Sequence, residues 1–189
     1  MLGPLLRQAA ELQGLLHDLK IPHAFIGGIA NSILGEPRAT LDADVLILVD
    51  DQAIEDLVRQ LKAHSRLLIP KAASFARRNR VIPCAFPSGL HADLVLAELN
   101  FEKAIIQRAK PRRVDRELRL RICTAEDLVI MKMVSARPKD RGDVEGIVRR
   151  QRTKLDAAHI IKWLKNFEKA LDRSDLVREF RKIHSASKI

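Results

Sequence analysis

The chain has 189 residues, with 34 Lys and Arg against 24 Asp and Glu, for a formal net charge of +10. That length suits one domain, or a domain with a small helical annex, and 47% apolar residues can supply a core. Aromatic residues make up only 4%, with no Tyr, which argues against a single-strand platform of stacked rings, while the positive balance points to an acidic partner such as nucleic acid or nucleotide.

Cys84 and Cys123 stand alone rather than in a paired motif. This argues against a disulfide framework or a zinc site and suits a reducing cytoplasm. The start, MLGPLLRQAAELQGLL, carries Arg7 and Glu11 at helical spacing and lacks the features of a signal peptide. No stretch approaches the roughly 20 apolar residues of a membrane span. The expectation is a cytoplasmic protein with no membrane partner.

In chain order, Leu5, Leu6, Ala9, Leu12, Leu15, Leu16 and Leu19 recur at three- and four-residue steps and predict an amphipathic helix ended by Ile21-Pro22. His23 to Ile26 reads as the first strand and Gly28 to about Leu34 as a short helix, broken by Gly35 and Pro37. Val45 to Val49 is apolar on both faces, hence a central strand, and Asp50-Asp51 can cap a helix carrying Ile54, Leu57, Val58 and Leu61. Short apolar runs follow at Leu67–Ile69, at Val81–Phe86, where Pro83 suggests an edge or bulged strand, and at Leu90–Leu96. A helix reads from Asn100 to Ala109, and Arg116 to Ile122 alternates as a strand with Arg119 and Arg121 outward. Helices at 124–136, from Asp140 to about Gln151, at 156–167 and at 174–184 complete the chain. The resulting division is a core over residues 1–123 and a helical region over 124–189, packed on it. The fold class is α/β (α+β), a mixed sheet flanked by helices.

The stretch FIGGIANSILGEPRATLDADVLILV, Phe25 to Val49, concentrates the chemistry. Gly27 and Gly28, where a strand gives way to a helix, let backbone N–H groups approach an anion. Asp42 and Asp44 are two residues apart, so on a strand they face the same way and can hold a hard cation. Asp93 interrupts the apolar run HADLVLA two residues after His91, and a carboxylate in a buried strand needs a partner or a metal. If the strands of Asp44 and Asp93 are neighbours, three carboxylates gather at one end of the sheet. Read singly, Asp42 can cap a turn after Thr40, and Asp93 can pair with an arginine. His91 can reach a metal from the Asp93 face or make a structural hydrogen bond.

The ordered set, a Gly pair, then GEPRATLDAD, then a lone Asp in a strand, resembles the nucleotidyltransferase superfamily with the polymerase-beta-type palm. The resemblance covers roughly Phe25 to Leu96. It implies nucleotide binding at Gly27 and Gly28, with Arg38 and Thr40 beside them, and two Mg²⁺ ions on Asp42, Asp44 and Asp93. An NTP, with ATP included, would then donate its NMP to a hydroxyl acceptor.

Further on, EDLVIMKMVSARPKDRGDVEGIV places Lys132 on a helix face with Ala125, Leu128, Val129 and Ala136. Its ammonium either snorkels to water or faces an anion, a substrate phosphate or a carboxylate. Asp140 and Asp143 open the next helix at N-cap and N3 positions that capping alone can explain. The arrangement looks like the bacterial subgroup containing type IV toxin–antitoxin nucleotidyltransferase toxins. That likeness implies active-site roles for Lys132 and Asp140, an RNA or tRNA acceptor and an antitoxin-type partner protein. Between Arg108 and Arg121 there are seven Lys/Arg against two acidic residues, a candidate RNA surface or else a charged, aggregation-resistant edge; Arg77, Arg78 and Arg80 form a second cluster. Antibiotic-type small acceptors, or a non-catalytic interaction module on the same fold, are the competing readings.

Overall fold

The computed structural model describes residues 3–135 and 137–186. Its elements run α1 (Gly3–Asp18), β1 (His23–Phe25), α2 (Gly27–Leu34), β2 (Asp42–Ile47), α3 (Ile54–His64), β3 (Arg66–Leu67), α4 (Ala72–Asn79), β4 (Val81–Ala85), β5 (His91–Leu96) and α5 (Asn100–Arg108). There follow β6 (Lys110–Arg113), β7 (Arg119–Ile122), α6 (Ala125–Ser135), α7 (Pro138–Gln151), α8 (Ala157–Leu171) and α9 (Leu176–Ala186). By contact density the chain forms two units, Met1–Ile29 with Ala39–Cys123, and Ala30–Arg38 with Thr124–Ile189. No helix of the described residues is long and apolar enough to cross a membrane.

All seven strands belong to the first unit, in the order β3-β4-β5-β2-β1-β7-β6. The sheet is mixed. Strands β2 and β5 run parallel, as do β1 and β7, and the other neighbours are antiparallel. The buried side of the sheet is continuous across the central strands, with Ile82, Leu94, Val45, Phe25 and Ile122 in successive registered positions and all at 1% exposure or less. Burying such side chains contributes about 1.5–3 kcal/mol each, so this row fixes the register of the strands beside it.

Several local differences from the sequence pattern have physical causes. Strand β2 starts at Asp42 rather than Val45, so both aspartates lie within the ladder. Strand β4 is interior, although Pro83 suggests an edge. The Pro83 carbonyl accepts from Leu68 N–H at 3.0 Å, so the missing donor lies on the side of β3. That strand is two residues long and its ladder ends at Cys84, so the absent donor falls just past the ladder's end. Residues 67–69 supply only the end of this short strand, and α4 follows, with Arg80 ending it in the left-handed region at φ 56°. The pattern at 116–122 is shorter than expected, and its strand is not the edge; β6, exposed at all four residues, is.

Arg121 therefore does not point to solvent. Its Nε donates to the His23 carbonyl at 3.2 Å and its guanidinium to the Ile106 carbonyl at 2.9 Å. Gln13 of α1 extends the short β1–β7 ladder, accepting from Arg121 N–H at 2.7 Å and donating to the Arg119 carbonyl at 2.9 Å. Helix α3 is preceded by a 3-10 turn at Asp51–Ala53, and Asp50 makes no side-chain cap bond. Glu55 and Asp56 in the first turn of α3 and Lys62 and His64 in its last turn complement the helix dipole.

The second unit is a cluster of α6, α7, α8 and α9 together with the chain from Ala30 to Arg38. Leu128, Val129, Ile130, Ile147, Ile160, Leu164 and Phe180 form its apolar interior. Helix α7 begins two residues earlier than expected. Pro138 takes the first helical position, where its missing N–H costs nothing, and Asp140 becomes the third residue, accepting from Arg137 N–H at 3.2 Å. Asp156 caps α8 by accepting from His159 N–H at 2.9 Å. The last carbonyls of α2 are satisfied from α7, Gly35 O by Arg150 and Leu34 O by Gln151, each at 2.6 Å. Ala136, expected on the Lys132 face, lies outside the described residues.

Candidate active site

Strand pairing brings the three carboxylates together. In the parallel β2–β5 ladder Asp44 is registered with Asp93, and Asp42 with His91. Registered residues point to the same side, and so do residues two apart on one strand, so Asp42, Asp44, Asp93 and His91 share one face at the same end of the sheet. Among the described residues none of the three aspartates is ion-paired with Lys or Arg. Burial pushes the Asp93 carboxyl above its usual range, and the charges of Asp44 and Asp42 push it further.

The glycine turn meets the same carboxylates. Gly27 sits at φ +57°, and a Cβ built there would stand 1.8 Å from Asp44 Oδ2. A Cβ on Gly28 would stand 2.3 Å from the Thr40 hydroxyl. A side chain at either position would have to displace Asp44 or Thr40. The bare backbone lets Gly28 N–H donate to Asp44 Oδ2 at 3.3 Å, which places a carboxylate at the positive end of α2. Thr40 in turn donates to the Asp42 carbonyl at 3.3 Å, tying the approach to β2 to the strand itself.

The donor set is all oxygen, which suits Mg²⁺ rather than a thiol- or imidazole-seeking metal. Among the described residues no three His, Cys, Asp or Glu side chains converge as a preformed metal cage. An open, uncompensated carboxylate face fits an ion that completes its shell with water and phosphate oxygens.

The second unit holds a separate buried ion network. Lys132 is 4% exposed, and its Nζ lies 2.5 Å from Asp143 Oδ2 and 3.3 Å from Asp140 Oδ1. Asp140, 1% exposed, also accepts from the Ser135 hydroxyl and from Arg137 Nε at 3.0 Å. Burial alone would raise its carboxyl, but Ser135, Arg137 and Lys132 hold it down to about 2. Asp143 is not a helix cap, because α7 starts at Pro138 and places it in the second turn. It accepts from Arg38 Nε at 3.0 Å and from the Asn31 amide at 3.2 Å, which also bonds the Glu36 carbonyl at 3.1 Å. The ammonium of Lys132 thus faces two carboxylates of its own unit, and the guanidinium of Arg38 meets Asp143. The central place of Asn31 was missed, because a polar residue in a short helix carries no distinguishing spacing.

Comparison with solved structures gives the class. The chain is similar to an antigenic nucleotidyltransferase-like protein from Paracoccidioides brasiliensis, with a TM-score of 0.54 and 17% identity over 95% of this chain and 93% of that one. It is also similar to the lincosamide antibiotic adenylyltransferase LnuA in its lincomycin-bound form, with a TM-score of 0.50 and 11% identity over 72% of this chain and 92% of that one. At such identities the likeness establishes the fold, that of a nucleotidyltransferase. The chain belongs to the family described as nucleotidyltransferase of unknown function (DUF6036), whose model matches residues 2–188. No curated protein sequence matches it.

Proposed function

We propose that this protein is a Mg²⁺-dependent enzyme that transfers an NMP from an NTP to a hydroxyl acceptor, and that the acceptor is RNA. The observation that carries the reading is the registration of Asp44 with Asp93, which sets three carboxylates with no ion-pair partner beside a tight glycine turn. Asp42, Asp44 and Asp93 would hold Mg²⁺, in two sites. When bound, the metal neutralises charge on the triphosphate and lowers the pKa of the attacking hydroxyl.

The chain's own groups divide the remaining work. Backbone N–H groups at Gly27 and Gly28, with the Thr40 hydroxyl, line the cradle for the triphosphate. The acceptor oxygen forms a bond to the α-phosphorus, the bond to pyrophosphate breaks, and the hydroxyl proton passes to the Asp93 carboxylate. Lys132, Asp140, Asp143 and Arg38 act as positioning residues within the second unit, holding Asn31 of α2. An RNA acceptor is supported by the net charge of +10, whereas a cationic small acceptor would call for an acidic surround.

The test is incubation with each α-labelled NTP, Mg²⁺ and total RNA, beside a panel of hydroxylated small molecules. Label entering RNA supports the reading. Label entering only the small acceptors would replace RNA as the acceptor, and no transfer to anything would remove the enzymatic reading.

A further inference from the structure

The carboxylate face continues sideways into a basic groove. Across the sheet, Asp42 is registered with His91, His91 with Ala85, and Ala85 with Arg66, so these four residues form one row on one face. With neighbouring strands about 4.8 Å apart, the row carries the surface roughly 14 Å from Asp42 to Arg66. Ala85, small and only half-buried, leaves a trough in the middle of the row. Lys62 and His64, at the end of α3, and the half-buried ring of Phe86 complete a groove of about 520 Å³.

Lys62, His64, Arg66 and His91 are all exposed, and none makes a side-chain hydrogen bond or ion pair among the described residues. Basic residues nearby on the same unit behave otherwise. Arg77 pairs with Glu55, Arg80 with Asp51, and Arg59 with Asp56. The dipole of α3 accounts for Lys62 and His64, but Arg66 and His91 come from strands, and no helix end explains them. Two unpaired cations and two imidazoles able to donate hydrogen bonds, beside three carboxylates with no ion-pair partner, form a surface with an anion track next to the carboxylate face.

The other basic element is badly placed for this work. Ile122 is level with Phe25 and Val45, so β7 runs toward the carboxylate end, and Arg119, paired with Arg113, lies at the opposite end. The cationic tip from Arg112 to Arg119 is therefore separated from Asp42 along the strands by roughly 17–20 Å, at about 3.3 Å per residue, as well as by two to three strand spacings.

We propose that the groove of Lys62, His64, Arg66 and His91 is the acceptor subsite, binding the phosphodiester backbone of a nucleic acid strand whose terminal hydroxyl is delivered to Asp93. This rests on the transferase reading and adds where the acceptor lies and what it must carry. Lys62 and Arg66 neutralise backbone phosphates, the histidines donate hydrogen bonds to phosphate oxygens, and the Phe86 ring gives one base a stacking surface.

The experiment measures binding rather than turnover. Anisotropy of a labelled single-stranded oligoribonucleotide with a free 3′ hydroxyl is followed with the full chain in EDTA, as a function of salt. Replacing both groove cations, Lys62→Gln with Arg66→Gln, should weaken binding roughly tenfold and reduce the salt slope by about 1.4, two contacts at about 0.7 each for a single strand. Arg112→Gln with Arg116→Gln on the hairpin should change affinity less than about threefold. A deoxy strand of the same sequence that binds comparably supports a backbone subsite. A nucleoside monophosphate that competes as well as the strand would reduce the groove to a free-phosphate site and overturn the proposal. The reverse ranking of the two double variants, equal losses in both, or no strand binding by the unaltered protein at low salt would overturn it too. Because no NTP or metal is present, failure here leaves the transferase reading standing. Loss of the transferase reading, in turn, would leave a positive binding result intact.

Discussion

Replacing Gly27 by alanine is the sharpest local perturbation of the site. The backbone there is left-handed, at φ +57°, which costs an L-residue about 1–2 kcal/mol. The added Cβ would also stand 1.8 Å from Asp44 Oδ2 and 2.5 Å from its carboxyl carbon, a closeness no pair of atoms sustains. The Asp44 side chain must rotate away, giving up its bond from Gly28 N–H and its alignment with Asp93. A displacement of about 1 Å in a reacting constellation costs on the order of 100-fold in rate. Gly27→Ala should therefore lose about 1–2 kcal/mol in urea denaturation and about 100-fold or more in transfer of α-labelled nucleotide. Gly142→Ala is the control. Gly142 lies exposed in α7 with nothing within 4 Å of a built Cβ, so alanine there should stabilise the helix by about 0.5–1 kcal/mol and leave transfer unchanged. A Gly27→Ala protein with unaltered stability and turnover would refute the close approach of the turn to Asp44.

Two further outcomes follow from the buried ion network. Lys132→Met leaves Asp140 and Asp143 buried with one cation fewer and should destabilise by about 3 kcal/mol, seen as a lowered urea midpoint. Adding Asp143→Asn should recover part of that loss, and strict additivity of the two would contradict a shared network. For Asp140, a folded pKa of about 2 lies below the unfolded value near 3.9, so the unfolded chain takes up the proton first as pH falls. Its contribution, on the order of 2 kcal/mol, should be complete above about pH 4 and disappear as pH drops toward 2. Asp140→Asn should flatten the stability–pH curve in that window, and an unchanged acid limb would contradict the assignment.

The site was half legible in the sequence. Asp42 and Asp44 declare themselves because a two-residue step on a strand fixes a common face, and Gly27-Gly28 because only glycine serves a strand-to-helix turn so close to a side chain. What the sequence left conditional was adjacency. Nothing in HADLVLA says that its strand lies parallel to that of Asp44, since the pairing is set by long-range burial of rows such as Ile82, Leu94, Val45 and Phe25. Lys132 was visible as a charge in an apolar arc, but its partners arrive from the next helix. Asp143 looked like a cap because its ties to Arg38 and Asn31 span more than 100 residues. Arg66 escaped notice for a related reason. A two-residue strand has no periodicity to read, and only the ladder through Ala85 reveals that it shares a face with His91 and Asp42.

Whether Asp42, Asp44 and Asp93 together support nucleotidyl transfer is tested directly by one measurement. Transfer from α-labelled NTP is compared in Mg²⁺ for the unaltered protein and for Asp42→Asn with Asp44→Asn, after matched thermal melts show both folded. Transfer by the former and none above background by the latter is the expected outcome. Equal transfer by the two proteins would contradict it.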